Sequence, residues 1–323
     1  MRAIQLAKTG GPEVLGVSEV DRPSAGEGEV LIEVAAAGVN FIDTYLRGGL
    51  YPLDLPAILG LECSGTVVEV GAGVANHAVG DRVAVGEGGG SYAEFRTADA
   101  NRVVAVPDAV SFDHAAAAMI QGLTAHYLAV DTYPLAPGDR CLIHAAAGGT
   151  GRLLVQLAKA AGAEVFATVG SAAKAELAAS AGADHIINYS EKDFAVEIRS
   201  ISGEDKPLDV VYDGVGAAVF EQSMDLLRVR GLMATFGNAS GAVPPVSPLD
   251  LMRGGSLFLT RPTLFNYIST PEELNARASA VFDLIASGDL DIRIDTTFRL
   301  DQARAAHEHL EARKSTGKLL LTP

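Results

Sequence analysis

The chain holds 323 residues, 48% of them hydrophobic, with a formal net charge of −15 and only two cysteines. That length and apolar content can fill the cores of two domains. Acidity that no basic stretch offsets excludes nucleic acid and anionic membrane as partners. No apolar run nears the roughly 18 residues of a membrane span, and the first residues lack a signal-peptide layout. A cytoplasmic protein is expected, with Cys63 and Cys141 as buried free thiols.

Up to residue 110 the sequence predicts short strands at residues 30–34, 65–70, 81–85 and 91–95, set off by glycine and proline turns. That spacing suggests a β-barrel-like unit. Helices follow at 112–119 and 123–130. A buried strand, Cys141-Leu142-Ile143-His144, then runs into Ala145-Ala146-Ala147-Gly148-Gly149-Thr150-Gly151. Beyond it, Leu153, Leu154, Leu157, Ala158 and Ala161 fall at the i, i+3, i+4 spacing of a helix packed on a sheet. Strand, glycine turn and helix form the context of a dinucleotide fingerprint, with Ala146 in place of its first glycine. Side chains are absent there so that backbone N–H groups and the helix dipole can approach a pyrophosphate. A plain tight turn is the competing reading.

The alternation continues with strands at 164–169, 185–189, 209–212 and 232–236 and helices at 172–181, 192–201 and 219–227. Right-handed crossovers of this length imply a doubly wound parallel α/β sheet. Residues 256–260 are a sixth, edge strand, apolar on both faces, which invites pairing with a second copy. Helices at 271–287 and 301–313 and a strand at 318–321 close the chain. Ligand is expected in the cleft between the parallel unit and the β-rich part.

Several stretches recur in a telling order: Gly10-Gly11-Pro12-Glu13-Val14-Leu15, Gly38-Val39-Asn40-Phe41-Ile42-Asp43, Gly80-Asp81-Arg82-Val83 and Gly122-Leu123-Thr124-Ala125. After the glycine motif come Tyr212-Asp213-Gly214-Val215-Gly216, Phe236-Gly237-Asn238 and Thr260-Arg261-Pro262. In this order they resemble the zinc-independent branch of the medium-chain dehydrogenase/reductases, and within it the bacterial NADPH:quinone oxidoreductases related to zeta-crystallin. The resemblance implies a Rossmann-type domain, residues 123–262, inserted in a GroES-like catalytic domain, residues 1–122 and 263–323. It also implies a homodimer joined through the sixth strand.

The cofactor reading combines residues and resemblance. An NAD enzyme usually ends its second strand near an acid that holds the ribose hydroxyls. Here residues 164–169 run into Gly170-Ser171-Ala172-Ala173-Lys174, and Tyr189 ends the next strand. This looks like the family's 2′-phosphate pocket, which in relatives includes an arginine matching Arg313; NADPH is the expected cofactor. The alternative for Lys174 is a solvated helix residue, and for Tyr189 a packing aromatic. Gly148, Gly149, Thr150 and Gly151 would take the pyrophosphate. Gly214, Phe236, Gly237, Asn238 and Arg261 would stand near the nicotinamide, and Tyr127 is carried over as a further cofactor contact.

In relatives, residues matching Phe41, Ile42, Thr44 and Tyr45 line the nicotinamide end. Asn40, Asp43 and Tyr51 are the candidate catalytic residues. Tyr51 matches a tyrosine that related enoyl-thioester reductases use as proton donor or polariser; pocket lining is its other reading. Asp43 reads as a base or as a buried orienter of Asn40 or Tyr45. Asn40 and Tyr51 are expected to face the ligands without supporting the core. No zinc is expected: Asn40 takes the region of the first cysteine ligand, and Gly60-Leu61-Glu62 stands where zinc enzymes have Gly-His-Glu. His144 is expected to be a packing residue, and His307 and His309 to face different sides of a helix.

Three functions follow. The first is NADPH-dependent reduction of quinones. The second is reduction of activated alkenes such as enals, enones or enoyl thioesters. The third is an NADPH-binding structural or regulatory role of the crystallin kind.

Overall fold

The computed structural model describes all 323 residues and divides the chain into two compact units: Thr124–Tyr267, and Met1–Leu123 together with Ile268–Pro323. Thr124–Tyr267 is built on six parallel strands, β1 (Arg140–Ile143), β2 (Glu164–Val169), β3 (His185–Asn188), β4 (Leu208–Asp213), β5 (Leu227–Thr235) and β6 (Phe258–Thr260). They pair in the order 3-2-1-4-5-6, so strand order reverses direction at β1, where open α/β sheets bind their ligands. Leu142, Phe166, Ile187, Ile198, Val211 and Met233 fill the core between sheet and helices. Cys141 stands between Val165 and Val210 in the centre of the sheet, which explains its burial.

Helices α1 (Gly149–Ala160), α2 (Ala172–Ser180), α3 (Phe194–Ser202) and α4 (Phe220–Asp225) follow strands β1 to β4 in turn, and α5 (Pro248–Gly255) precedes β6. The short α5 was not expected from the sequence. Its C-terminal Ser256 adopts a left-handed conformation with φ 56°, so β6 starts at Phe258 and is shorter than residues 256–260. No helix is long and apolar enough to cross a membrane.

The other unit is organised by one long strand, Glu29–Val39. Along one edge it pairs with Glu62–Val70; along the other it takes Phe95–Asp99 on its first half and Lys318–Thr322 on its last. Ile4, Leu6, Val30, Ile32, Val67, Val83, Leu319 and Leu321 form the enclosed core. The strand expected at residues 91–95 lies at Phe95–Asp99 instead. Tyr92 is turned inward, and its N–H donates to the Leu59 carbonyl at 2.8 Å. The two helices expected at 112–119 and 123–130 are one run from Phe112 to Thr132, carrying wide π turns at Ala118–Gly122 and Leu128–Thr132. Each π turn adds a residue, which shifts the apolar period and makes one helix read as two.

Candidate active site

The glycine motif turns at Ala145, a non-glycine residue at φ 51°, a left-handed conformation that costs on the order of 1 kcal/mol and concentrates at functional sites. Gly148 then opens α1 with no capping side chain, whereas Ser171, Asp193 and Ser247 cap α2, α3 and α5 with side-chain oxygens. The first N–H groups of α1 are thus left to a ligand or solvent. Gly151 is sterically required, because a Cβ there would meet the Ala145 carbonyl oxygen at 2.4 Å.

At the carboxyl end of β2 a Cβ on Gly170 would lie 2.7 Å from the Tyr189 hydroxyl. The tyrosine, 43% exposed, therefore reaches over the strand end from the neighbouring β3 turn. Ser171 accepts the Lys174 N–H at 3.4 Å and starts α2. At the ends of β4 and β5 the two turns press together: a Cβ on Gly237 would meet the Gly214 carbonyl oxygen at 2.2 Å, and one on Gly214 the Phe236 ring at 3.1 Å. Asp213, missed in the sequence, organises this corner. Its Oδ1 accepts the Val215 and Gly216 N–H groups at 2.7 and 2.9 Å. Arg261 donates to the Thr235 carbonyl at 2.8 Å, tying it to the end of β5. Gly148 to Gly151, Gly170, Ser171, Lys174, Tyr189, Gly214, Phe236, Gly237, Asn238 and Arg261 thus gather at the carboxyl ends of one sheet.

Two expected residues stand apart from that group. Tyr127 is 1% exposed and stacked on Tyr267 with ring centroids 4.2 Å apart. This burial gives it a packing role in its own unit. Arg313 is exposed at φ 56° after the helix Ala303–Glu311, in the other unit.

His144 packs beside the motif, as expected. Ser223 spends its hydroxyl proton on the Val219 carbonyl at 2.7 Å, so its oxygen accepts from His144 Nε2 at 2.8 Å, and Thr168 donates to Nδ1 at 2.8 Å. Burial holds this imidazole neutral, its pKa lowered to about 3. The folded state then binds fewer protons than the unfolded chain, so the stability His144 confers is present above pH 6.5 and is lost as pH falls toward 3. In urea titrations His144→Gln should gain on the wild type by about 1.4 kcal/mol per pH unit between pH 6 and 4. Parallel pH curves would contradict it.

In the other unit the register explains a second polar cluster. Leu319 pairs with Val39 and Gly38 with Glu62, so Lys318, Asn40 and Glu62 converge at one end of three strands. Gly38 makes room: a Cβ there would meet Glu62 Oε1 at 2.1 Å. Asn40 Nδ2 donates to Glu62 Oε1 at 2.6 Å, and its Oδ1 accepts from Lys318 Nζ at 2.7 Å and from Gln121 Nε2 at 3.4 Å. Lys318 also pairs with Glu62, and both are 0% exposed. The Ile120 N–H, in the π turn, donates to Glu62 Oε2 at 2.5 Å. Gln121 Oε1 is buried without a protein partner.

Asn40 opens the helix Phe41–Gly48, whose two faces differ. Phe41 and Tyr45 are half-buried on one face, with Tyr51 edge-on to Tyr45 at 5.5 Å. Ile42 is likewise half-buried, and Thr44 turns inward to donate to the Phe41 carbonyl at 2.7 Å. Asp43 and Arg47, four apart, face the interior. Asp43 Oδ2 accepts the Asn40 N–H at 2.8 Å and the Tyr92 hydroxyl at 3.0 Å. Tyr92 lies 3.3 Å from His307 Nε2, and Arg47 donates to His307 Nδ1 at 3.0 Å and to Glu311 at 2.6 Å. Burial raises Asp43 to about 7 and lowers His307 to about 3. Asp43 is fully enclosed and its carboxylate holds the start of the helix, the arrangement of a buried orienter. Asn40, 5% exposed, is part of a buried network, contrary to the expectation that it leaves the core unsupported.

The family model described as "Alcohol dehydrogenase GroES-like domain" matches residues 26–108, and that described as "Zinc-binding dehydrogenase" matches residues 149–286. The chain is 46% identical to a quinone oxidoreductase of Salmonella typhimurium over 324 residues, covering 99% of each. It is 41% identical to a 2-haloacrylate reductase of a Burkholderia species over 329 residues, covering 99% of this chain and 98% of that one. It superposes on the Escherichia coli quinone oxidoreductase complexed with NADPH with a TM-score of 0.97 and 44% identity, covering 100% of both chains. The zinc in the second description does not fit the residues present. Lys318 places a buried ammonium against Asn40 and Glu62, which opposes a divalent cation, and burial raises both cysteine thiols away from the thiolate a metal needs. With identity sustained over its whole length and both domains matched in order, the chain belongs to the medium-chain dehydrogenase/reductases, in their quinone oxidoreductase branch.

Proposed function

We propose that this chain reduces quinones with NADPH. The mouth of β2 carries the reading: Gly170 and Ser171 follow the strand where an NAD enzyme would place an acid, the Tyr189 hydroxyl lies over Gly170, and Lys174 sits in the first turn of α2. Together with the likeness to an oxidoreductase complexed with NADPH, this supports a 2′-phosphate held by Ser171, Lys174 and Tyr189. The uncapped start of α1 takes the pyrophosphate, and the Gly214 and Phe236-Gly237-Asn238 turns receive the nicotinamide. Bound NADPH supplies a hydride to an electrophilic acceptor; the protein's share is orientation and water exclusion, with Asn40 at the reacting end and Tyr51 lining the pocket when the acceptor is a quinone. Lys174→Ala should raise the KM for NADPH about 10- to 100-fold, the value of one charge-assisted contact, with NADH kinetics unchanged. Equal effects on both cofactors would remove the assignment.

Reduction of activated alkenes is the second reading, favoured by the 41% identity to a protein named 2-haloacrylate reductase. Following NADPH oxidation with 1,4-benzoquinone, a 2-alkenal and an enoyl thioester separates the two. Tight NADPH binding with no turnover of any acceptor would favour a structural or regulatory role instead.

A homodimer completes the reading. β6 is an open edge, and Phe258, Val229, Met252 and Leu249 are 60%, 62%, 59% and 53% exposed on or beside it. Such an edge is satisfied by a second copy of itself across a two-fold axis. Light scattering should give a mass near twice 33.4 kDa, and Phe258→Asp should shift it toward the monomer. A wild-type monomer at micromolar concentration would refute this.

A further inference from the structure

Asn40 is surrounded by groups whose hydrogen-bonding roles are fixed by their chemistry. Lysine donates and cannot accept, and a carboxylate accepts and cannot donate. Lys318 Nζ at 2.7 Å therefore pins the carboxamide oxygen, and Glu62 Oε1 at 2.6 Å pins the nitrogen. Gln121 Nε2 takes the second lone pair of Oδ1 at 3.4 Å. The oxygen is saturated, one N–H is committed to Glu62, and one N–H of Asn40 is left over. Rotation of the amide by half a turn would set its oxygen against Glu62 and its nitrogen against Lys318, a doubly repulsive arrangement.

We propose that Lys318 is a positioning residue for the reaction. Together with Glu62 it locks Asn40 so that the remaining Nδ2–H is presented, without rotational choice, to a carbonyl oxygen of the reacting pair. The inference rests on the reading that Asn40 serves the reacting end. It goes further in assigning a role to a lysine that touches no ligand, and in giving Asn40 one polarity: donor only. A carbonyl oxygen is the matching chemistry, either that of the nicotinamide carboxamide or that of the acceptor. An ammonium spent on orientation is chemically apt here, because its charge is neutralised by Glu62 and none is offered to the ligand.

A double-mutant cycle tests it, since a residue that acts only through Asn40 has nothing to lose once Asn40 is gone. The charge-neutral pair Glu62→Gln/Lys318→Met should lower quinone kcat/KM about 10-fold with Asn40 present. In an Asn40→Ala background it should lower it less than about twofold. Gln121→Met, at a half-buried position outside the ion pair, gives a second cycle, with a loss of a few-fold that again vanishes without Asn40. Equal losses in both backgrounds overturn the proposal, because a purely structural effect does not depend on Asn40. An Asn40→Ala enzyme with unchanged kcat/KM overturns the placement of the site itself, a distinct failure. Equilibrium NADPH binding identifies the oxygen. Weakened binding in Asn40→Ala assigns the N–H to the nicotinamide carboxamide; unchanged binding with reduced turnover assigns it to the acceptor.

Discussion

Replacing Lys318 alone by methionine should destabilise the protein by about 3–5 kcal/mol, because it strands the Glu62 carboxylate in the interior. Both side chains are 0% exposed, so solvent cannot take over the role of the lost partner. The carboxylate would keep the Ile120 and Asn40 N–H donors, which soften the loss without cancelling the charge. Replacing both partners, Glu62→Gln with Lys318→Met, should recover most of the deficit, since removing a buried pair together is often near neutral. Urea unfolding of the three variants at neutral pH measures this. A Lys318→Met midpoint equal to wild type would mean that the ion pair is not enclosed as described.

Tyr51→Phe should split the two acceptor classes. A reduced quinone takes its protons from solvent, so loss of the hydroxyl should leave benzoquinone kcat/KM within about threefold of wild type. An alkenal or enoyl thioester needs its carbonyl polarised as hydride arrives; if Tyr51 does this, the loss should be on the order of 10²-fold. The substitution keeps the edge-on contact with Tyr45 at 5.5 Å, so the melting temperature should hold within a few degrees. A quinone rate that falls 10²-fold along with the alkenal rate would show that the hydroxyl serves both chemistries.

The cofactor-binding sheet was legible because its signals are local. Apart from the short α5, the strands and helices between Arg140 and Thr260 carry their own apolar periods, and the glycines mark close approach of backbones, as Gly151 against Ala145 and Gly237 against Gly214 confirm. The polar cluster around Asn40 was only half legible. Asn40, Asp43 and Tyr51 lie within a dozen residues of one another, but Lys318, His307 and Tyr92 reach them only through strand register and packing. A signal for Lys318 did exist: a lysine leading an unbroken run of leucines, Lys318-Leu319-Leu320-Leu321, has no solvated face to occupy. Asp43 was left open between base and buried orienter for a related reason. Its enclosure, with the Asn40 N–H and Tyr92 as donors, depends on packing that the sequence does not carry.

The split of the outer unit into Met1–Leu123 and Ile268–Pro323 has a consequence for how activity arises during synthesis. The cofactor-binding segment is contiguous, and its strands can pair as soon as they leave the ribosome. Asn40, Glu62, Tyr92 and Gln121 are all translated before that segment begins, yet the amide of Asn40 gains its lysine, and Tyr92 its histidine, only from residues made after the segment ends. A nascent chain stalled before His307 therefore contains the whole dinucleotide-binding segment but lacks both late partners. On the proposed role of Asn40, the reacting end is the last part of the molecule to be completed, by the strand Lys318–Thr322.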